Sequence, residues 1–292
     1  MAFQLKQRES VNKGVRRIIR YQLYDALTAN DDKAVHNIRV HCKKVRACLR
    51  LVRNSIGNPL YRRENRRIHN AMKPLTKVRD AEVLIKTLDW LSVHFSREIT
   101  ADDFSVIRKA LQEHYRTVCE HALVQEHAFD AIAETIKSAC DHLKDWPLNQ
   151  KEWSTIHSGL EHSYRRNRRA FAKAKTDPTS ENFHEWRKQA KYLWYQLLIL
   201  EPAWPSGVKS WDKAFHKLTK ALGDDHDLTV LRQTLTADSS AFGKNFDTLF
   251  LLIERRRQEL QKRAFALGKQ LYRDKPGHLT YRIEKHWRKW RG

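Results

Sequence analysis

The chain has 292 residues, with 56 Lys+Arg against 34 Asp+Glu and a formal net charge of +22; its mean hydropathy is −0.72. Nine Gly and seven Pro are too few for a turn-rich all-β chain, and nine Trp too many for a disordered basic tail. No run reaches the roughly 18 apolar residues of a membrane span, and the first residues hold no apolar signal core, so a cytoplasmic protein without membrane attachment is expected.

The predicted elements are all helical. From the N-terminus, Asp31-Asp32 are N-cap candidates for a helix carrying His36, Arg39, Lys43, Arg46 and Arg50. Leu49, Val52 and Ile56 recur at three- and four-residue steps, the mark of an amphipathic helix. After Asn58-Pro59 comes a second basic stretch with Arg62, Arg66, His69, Lys73 and Asp80. From Glu98 to Glu161 the sign reverses, with twelve acidic against six basic residues. Beyond Pro147, six basic residues lie between Glu161 and Lys175. Asp177-Pro178 marks a break, and Thr179-Ser180 are cap candidates for a helix with His184, Arg187, Lys191 and an apolar row of Leu193, Leu197 and Leu200. Pro202 and Pro205 precede a stretch with Lys209, Lys213, His216, Lys220 and Asp227, and Pro276-Gly277 opens a last segment. The four cysteines, Cys42, Cys48, Cys119 and Cys140, form no CxxC, so neither a disulfide framework nor a zinc cluster is expected.

These stretches repeat. His36, Arg39 and Lys43 align with His184, Arg187 and Lys191 at an offset of 148 residues, as do Arg17 and Arg20 with Arg165 and Arg168. Arg62, Arg66, His69, Lys73 and Asp80 fall opposite Lys209, Lys213, His216, Lys220 and Asp227 at 147, and Ile107 with Gln112-Glu113 opposite Ile253 with Gln258-Glu259 at 146. The pattern predicts an all-α chain of two antiparallel helical bundles, residues 1–147 and 148–292, related by internal duplication.

The basic residues line up. At about 100° per residue, His36 to Arg50 fall within roughly 80° of one another and Arg62 to Asp80 within roughly 60°. A row of like charges on one helix face costs stability. Building it twice implies an anion that relieves the repulsion. Between His36 and Arg79 there are 13 Lys/Arg and a single acid, Glu64, so the field suits a linear polyanion. Arg offers forked donors to phosphate oxygens and Lys a compact charge. Gly223-Asp224-Asp225-His226-Asp227 resembles a metal cluster only superficially, since its counterpart around Lys77 to Asp80 holds one acid; no metal or cofactor is expected. No phosphate-cradling GxxxxGK[ST], HExxH or GxSxG occurs, so no enzymatic activity is expected. Trp186, Tyr192, Trp194 and Tyr195 read as core rather than as base-stacking platforms.

His36-x-x-Arg39-Val40-x-x-Lys43-Lys44-x-Arg46-Ala47, Arg79-Asp80, His184-x-x-Arg187-Lys188-x-x-Lys191 and Leu222-Gly223 with Asp227 together resemble the CHAD (conserved histidine α-helical domain) family. Arg255-Arg256-Arg257-x-Glu259-Leu260, Leu271-Tyr272 and Lys275-Pro276 are also similar to it. The resemblance spans nearly the whole chain and implies a single domain of two repeats, related by a pseudo-two-fold axis with a basic cavity or pore between them, that binds inorganic polyphosphate, with association to polyphosphate granules or to a polyphosphate-metabolising enzyme. The binding set it implies, with the stripes, is Arg17, Arg20, His36, Arg39, Lys43, Lys44, Arg46, Arg50, Arg62, Arg66, His69, Lys73, Arg79, Arg165, Arg168, His184, Arg187, Lys188, Lys191, Lys209, Lys213, His216, Lys220 and Arg255. Trp194 and His226 stand where the family more typically has Arg, so the second half is expected to bind less tightly. The alternatives are an RNA-binding protein, for which a basic helical surface is equally suited, and an accessory subunit of a triphosphate-processing enzyme.

Overall fold

Apolar residues at three- and four-residue steps bury one face of each helix, and the computed structural model, which describes residues 3–29, 33–98, 101–148, 152–237 and 246–292, consists of helices and their connecting turns, with no strand among the described residues. In α1 (Val11–Leu27) the buried positions Val11, Val15, Ile18, Leu23 and Ala26 make the inward stripe, and Ser10 Oγ accepts from the Lys13 amide to close the first turn. α2 (Ala34–Leu51) buries Ile38, Cys42, Val45 and Leu49 and turns His36, Arg39, Lys43 and Arg46 the other way. The cap expected from Asp31-Asp32 lies outside the described residues. A single turn, α3 (Arg53–Ile56), ends at Gly57, whose φ of 80° favours a residue without Cβ.

α4 (Asn58–Ala71) and α5 (Lys73–His94) each carry proline in the first turn, where its missing N–H costs nothing. α6 (Ala101–Cys119) runs into a π-helical turn, Glu120–Gln125, and α7 (Ala128–His142) follows. α8 (Trp153–Thr176) leads to α9 (Ser180–Ile199), capped as expected by Thr179, whose hydroxyl accepts from the Asn182 amide at 3.3 Å. α10 (Pro205–Ala237) is one helix of 33 residues. α11 (Asp247–Leu271) and α12 (Pro276–Arg291) complete the chain. No described helix is long and apolar enough to cross a membrane.

One continuous core crosses the junction of the expected halves, from Leu5 and Val11 to Ile283 and Trp287. α2 packs on both α8 and α9, and α5 on α10. Gln196 donates to the Ala47 carbonyl at 3.1 Å and Ser55 to the Thr155 carbonyl at 3.0 Å, both buried. Gly159 permits the crossing of α8 over the end of α2: a Cβ there would overlap the Leu51 carbonyl oxygen. Trp186 and Tyr192 are core, as the sequence predicts. Trp186 Nε1 donates to Tyr272 Oη (3.1 Å), which donates to Asn167 Oδ1 (3.1 Å), so the aromatic centre keeps its polar atoms satisfied.

Candidate anion-binding site

Because α2 lies against α9 and α5 against α10, the polar faces of four helices meet. α2 brings His36, Arg39 and Lys43; α9 brings His184, Arg187 and Lys191. α5 adds Arg79 and Asp80, and α10 adds His226 and Asp227. Arg39 donates to Thr76 Oγ1 and stands 4.0 Å from Asp80. Lys43 sits in the field of Arg39, Arg187 and Lys191, three cations drawn from both helices. Arg187 faces Gly223, where a Cβ would come within 3.3 Å of its Nε. That Nε is buried without a hydrogen-bond partner among the described residues.

The strip continues along α2. Arg46 donates to Asn65 Oδ1 (3.0 Å) and His69 Nδ1 (3.3 Å), and Arg50 donates to the same Asn65 oxygen (2.8 Å). The Arg50 guanidinium lies 3.7 Å from the centre of the Tyr192 ring, a cation–π arrangement that holds it flat. On α9, Trp194 Nε1 donates to Asp212 Oδ1 (2.7 Å), its ring meets His216 edge-on, and Lys191 lies over it at 4.4 Å. Thus Arg46 with Asn65 and His69 has its counterpart in Trp194 with Asp212 and His216, at the offsets already read from the sequence. Arg39 on Thr76 corresponds likewise to Arg187 on Gly223. His36 beside Arg79 corresponds to His184, whose ring centre is 4.6 Å from that of His226.

Crowded cations in a half-buried strip titrate abnormally. Burial, reinforced by Arg39, Arg187 and Lys191, pushes the Lys43 ammonium down to about 7, and burial with Arg187 pushes Lys191 down to about 8. Burial and neighbouring cations also lower His36, His69 and His184, and hold His226 at about 4. Burial raises Asp80, and raises Asp227 to about 6 against the opposing pull of Arg187. The strip therefore carries positive charge that it accommodates at a cost.

A family model for the CHAD domain matches residues 14–236, well over half of the chain. The chain belongs to the CHAD family. The CHAD domain from the plant Ricinus communis, solved by crystallography, is similar in fold at 15% identity, with a TM-score of 0.61 over 99% of this chain and 95% of that one. Among curated proteins, none matches the sequence.

Several basic residues of this CHAD chain lie away from the strip. Arg17 pairs with Glu9 and donates to the Gln4 carbonyl (2.8 Å), tying down the N-terminal segment. Arg20 faces Cys140 of α7. Lys44 lies over the Phe3 ring at 5.0 Å, on the side of α2 turned toward α1. Arg62 and Arg66 line an outer groove on α4 with Arg63 and Arg67. Arg165 pairs with Glu161, Arg168 neighbours Tyr164, and Arg255 pairs with Glu98 at 3.2 Å. Lys209 and Lys213 are exposed on the first half of α10, and Lys73 is exposed near His69. Lys188 is held by Glu185 but contributes its charge at His69. Lys220 pairs with Asp224 at 3.1 Å. The acids of the Gly223–Asp227 run diverge: Asp224 goes to Lys220, Asp225 accepts from Arg257 (3.2 Å) and Gln261 (2.9 Å), and Asp227 faces Arg187. Asn65, Thr76, Asp212 and Gly223 are the supporting residues that a search for basic stripes overlooks. The repeat offset of 147 pairs Asn65 with Asp212 and Thr76 with Gly223, a signal that was present once polar neighbours were compared.

Proposed function

We propose that this CHAD protein binds inorganic polyphosphate without chemically processing it, along the strip formed by α2 and α9 and flanked by α5 and α10. The observation that carries the reading is the placement of Arg39, Lys43, Arg187 and Lys191, two from each half, around one point with Asp80 and Asp227 the acids among the described residues that balance them. A chain of phosphates laid along this strip meets forked guanidinium donors at Arg39, Arg46 and Arg187 and compact charges at Lys43 and Lys191. Affinity then comes from charge-assisted hydrogen bonds and from release of condensed counterions, as in recognition of a phosphate backbone. Attachment to polyphosphate granules is the cellular role such a site would serve.

The same reading includes an internal duplication. Helices that match in the repeat lie against each other across the junction (α2 with α9, α5 with α10), which supports a pseudo-two-fold axis. The support from the fold is coarser, since it is that of a CHAD domain in general.

Titration with a long polyphosphate tests the proposal. Arg39→Gln combined with Arg187→Gln weakens binding by at least tenfold, whereas Arg97→Gln combined with Lys137→Gln, off the strip, changes it less than twofold. Equal losses in both variants, or displacement of polyphosphate by RNA at equal phosphate concentration, overturn the reading. Phosphate release from polyphosphate by the purified chain overturns its non-enzymatic part.

A further inference from the structure

Beside the strip, between α5, α10 and α11, lies a cavity of about 840 Å³, a size that suits one small organic ligand. Its character differs from that of the strip. Val83, Leu228, Leu260 and Leu267 give it apolar walls, while Lys86, Lys217, Lys220 and Arg263 supply cations around them. Lys217 and Arg263 form no ion pair among the described residues, although other charges near the cavity do: Lys86 with Glu82, Lys220 with Asp224, and Arg256 with Glu259. Arg79 and Asp227 belong to both places, so the cavity opens into the strip at that end.

An inorganic polyanion leaves the apolar walls wet and unmatched. An acyl chain matches the walls and leaves Thr87 and Gln270, which also line the cavity, unmatched. A purine satisfies both, since its faces are apolar and its edge carries hydrogen-bond donors and acceptors. The surplus cations then call for a phosphate tail on the same molecule. We propose that this cavity is a second site, taking a nucleoside triphosphate with the base between α10 and α11 and the phosphates met by Lys217 and Arg263. Neither the walls nor the surplus cations depend on polyphosphate occupying the strip, so the two proposals stand or fall separately.

Calorimetric titration of the full chain with ATP and with inorganic tripolyphosphate, both in EDTA, separates a base-dependent site from general anion attraction. ATP is expected to bind at least tenfold more tightly than tripolyphosphate. Thr87→Trp fills the cavity and Leu267→Glu places a like charge on its wall; each should erase the advantage of ATP while tripolyphosphate and long polyphosphate bind as before. Should one variant fail to fold, the other carries the test. Equal affinity of wild type for the two ligands overturns the proposal, as does an ATP advantage that survives a folded variant. Long polyphosphate, titrated in parallel, reports on the strip alone: its failure to bind while ATP binds would sink the polyphosphate reading and leave this one intact.

Discussion

At Lys43, burial and charge conflict. In the unfolded chain its ammonium titrates in the usual lysine range; in the folded chain it falls to about 7. The folded state thus binds fewer protons than the unfolded one between about pH 7 and 10, so this residue's contribution to stability rises with pH across that window. Asp227 has the opposite shift: its carboxyl, raised to about 6, makes the folded state bind more protons between its ordinary pKa and 6, so its contribution falls as pH rises there. Both penalties are large between pH 6 and 7, where each group carries its charge. A bound polyanion raises every one of these pKa values, Lys43, Lys191, the strip histidines and Asp227 alike, so binding takes up protons. Polyphosphate affinity should therefore fall by about tenfold or more between pH 6 and pH 9. The binding enthalpy at pH 7.5 should change with the ionisation enthalpy of the buffer in the direction of net uptake. Affinity flat over that range, with no buffer dependence, would show that Lys43 and Lys191 do not meet the ligand. The sequence makes these residues visible as a stripe, but not their titration, because the packing that buries Lys43, and two of the three cations that depress it, Arg187 and Lys191, come from a helix about 150 positions away in the chain.

At the scale of elements, the instructive comparison is α4 and α5 against α10. Pro74 breaks the first pair after Met72, whereas the equivalent position in the second half is Ala221, and α10 continues through it unbroken. The predicted stripe divides in both halves, at the break in the first and, in the second, along a continuous α10 whose Lys209 and Lys213 also stay off the strip. Projecting Arg62 to Asp80 onto a single straight helix puts all of them on one face; with the chain interrupted at Met72, Arg62 and Arg66 open onto the outer groove while Asp80 reaches the strip. Helix existence and many ends were legible from apolar spacing, prolines and the Thr179 cap. Which face meets which was not, since that depends on close approaches such as Gly159, a glycine in a helix that looks unremarkable until α2 is laid beside it. Gly159→Ala is expected to destabilise the protein by about 1–3 kcal/mol through overpacking against the Leu51 carbonyl. A better helix former at that place would otherwise stabilise by roughly 0.5–1 kcal/mol, so the sign of the change in a denaturant midpoint decides whether the two helices touch as described.

Over the whole molecule, a net charge of +22 opposes compaction by self-repulsion, and the strip concentrates that opposition where both halves contribute cations. A ligand that binds only the folded chain stabilises it by about 2.7 kcal/mol at a hundredfold excess over its Kd, which for a chain of this size corresponds to a rise in Tm of roughly 4 °C. Salt acts on the same repulsion by a different route: it screens the cations in the free protein and also removes the counterion-release advantage of the bound one. The two effects have opposite consequences for a melting experiment. Without polyphosphate, Tm should rise as salt increases from 20 to 500 mM; with polyphosphate, it should start several degrees higher and lose that lead, so that the two curves converge at high salt. In the Arg39→Gln, Arg187→Gln variant the free-protein curve should start higher than wild type, since the repulsion has been reduced, and the polyphosphate increment should shrink. A free-protein curve unaffected by that pair of substitutions would mean that the repulsion resides in the dispersed surface charge, and that the meeting of α2 and α9 is an ordinary packed interface with charged residues at its edge.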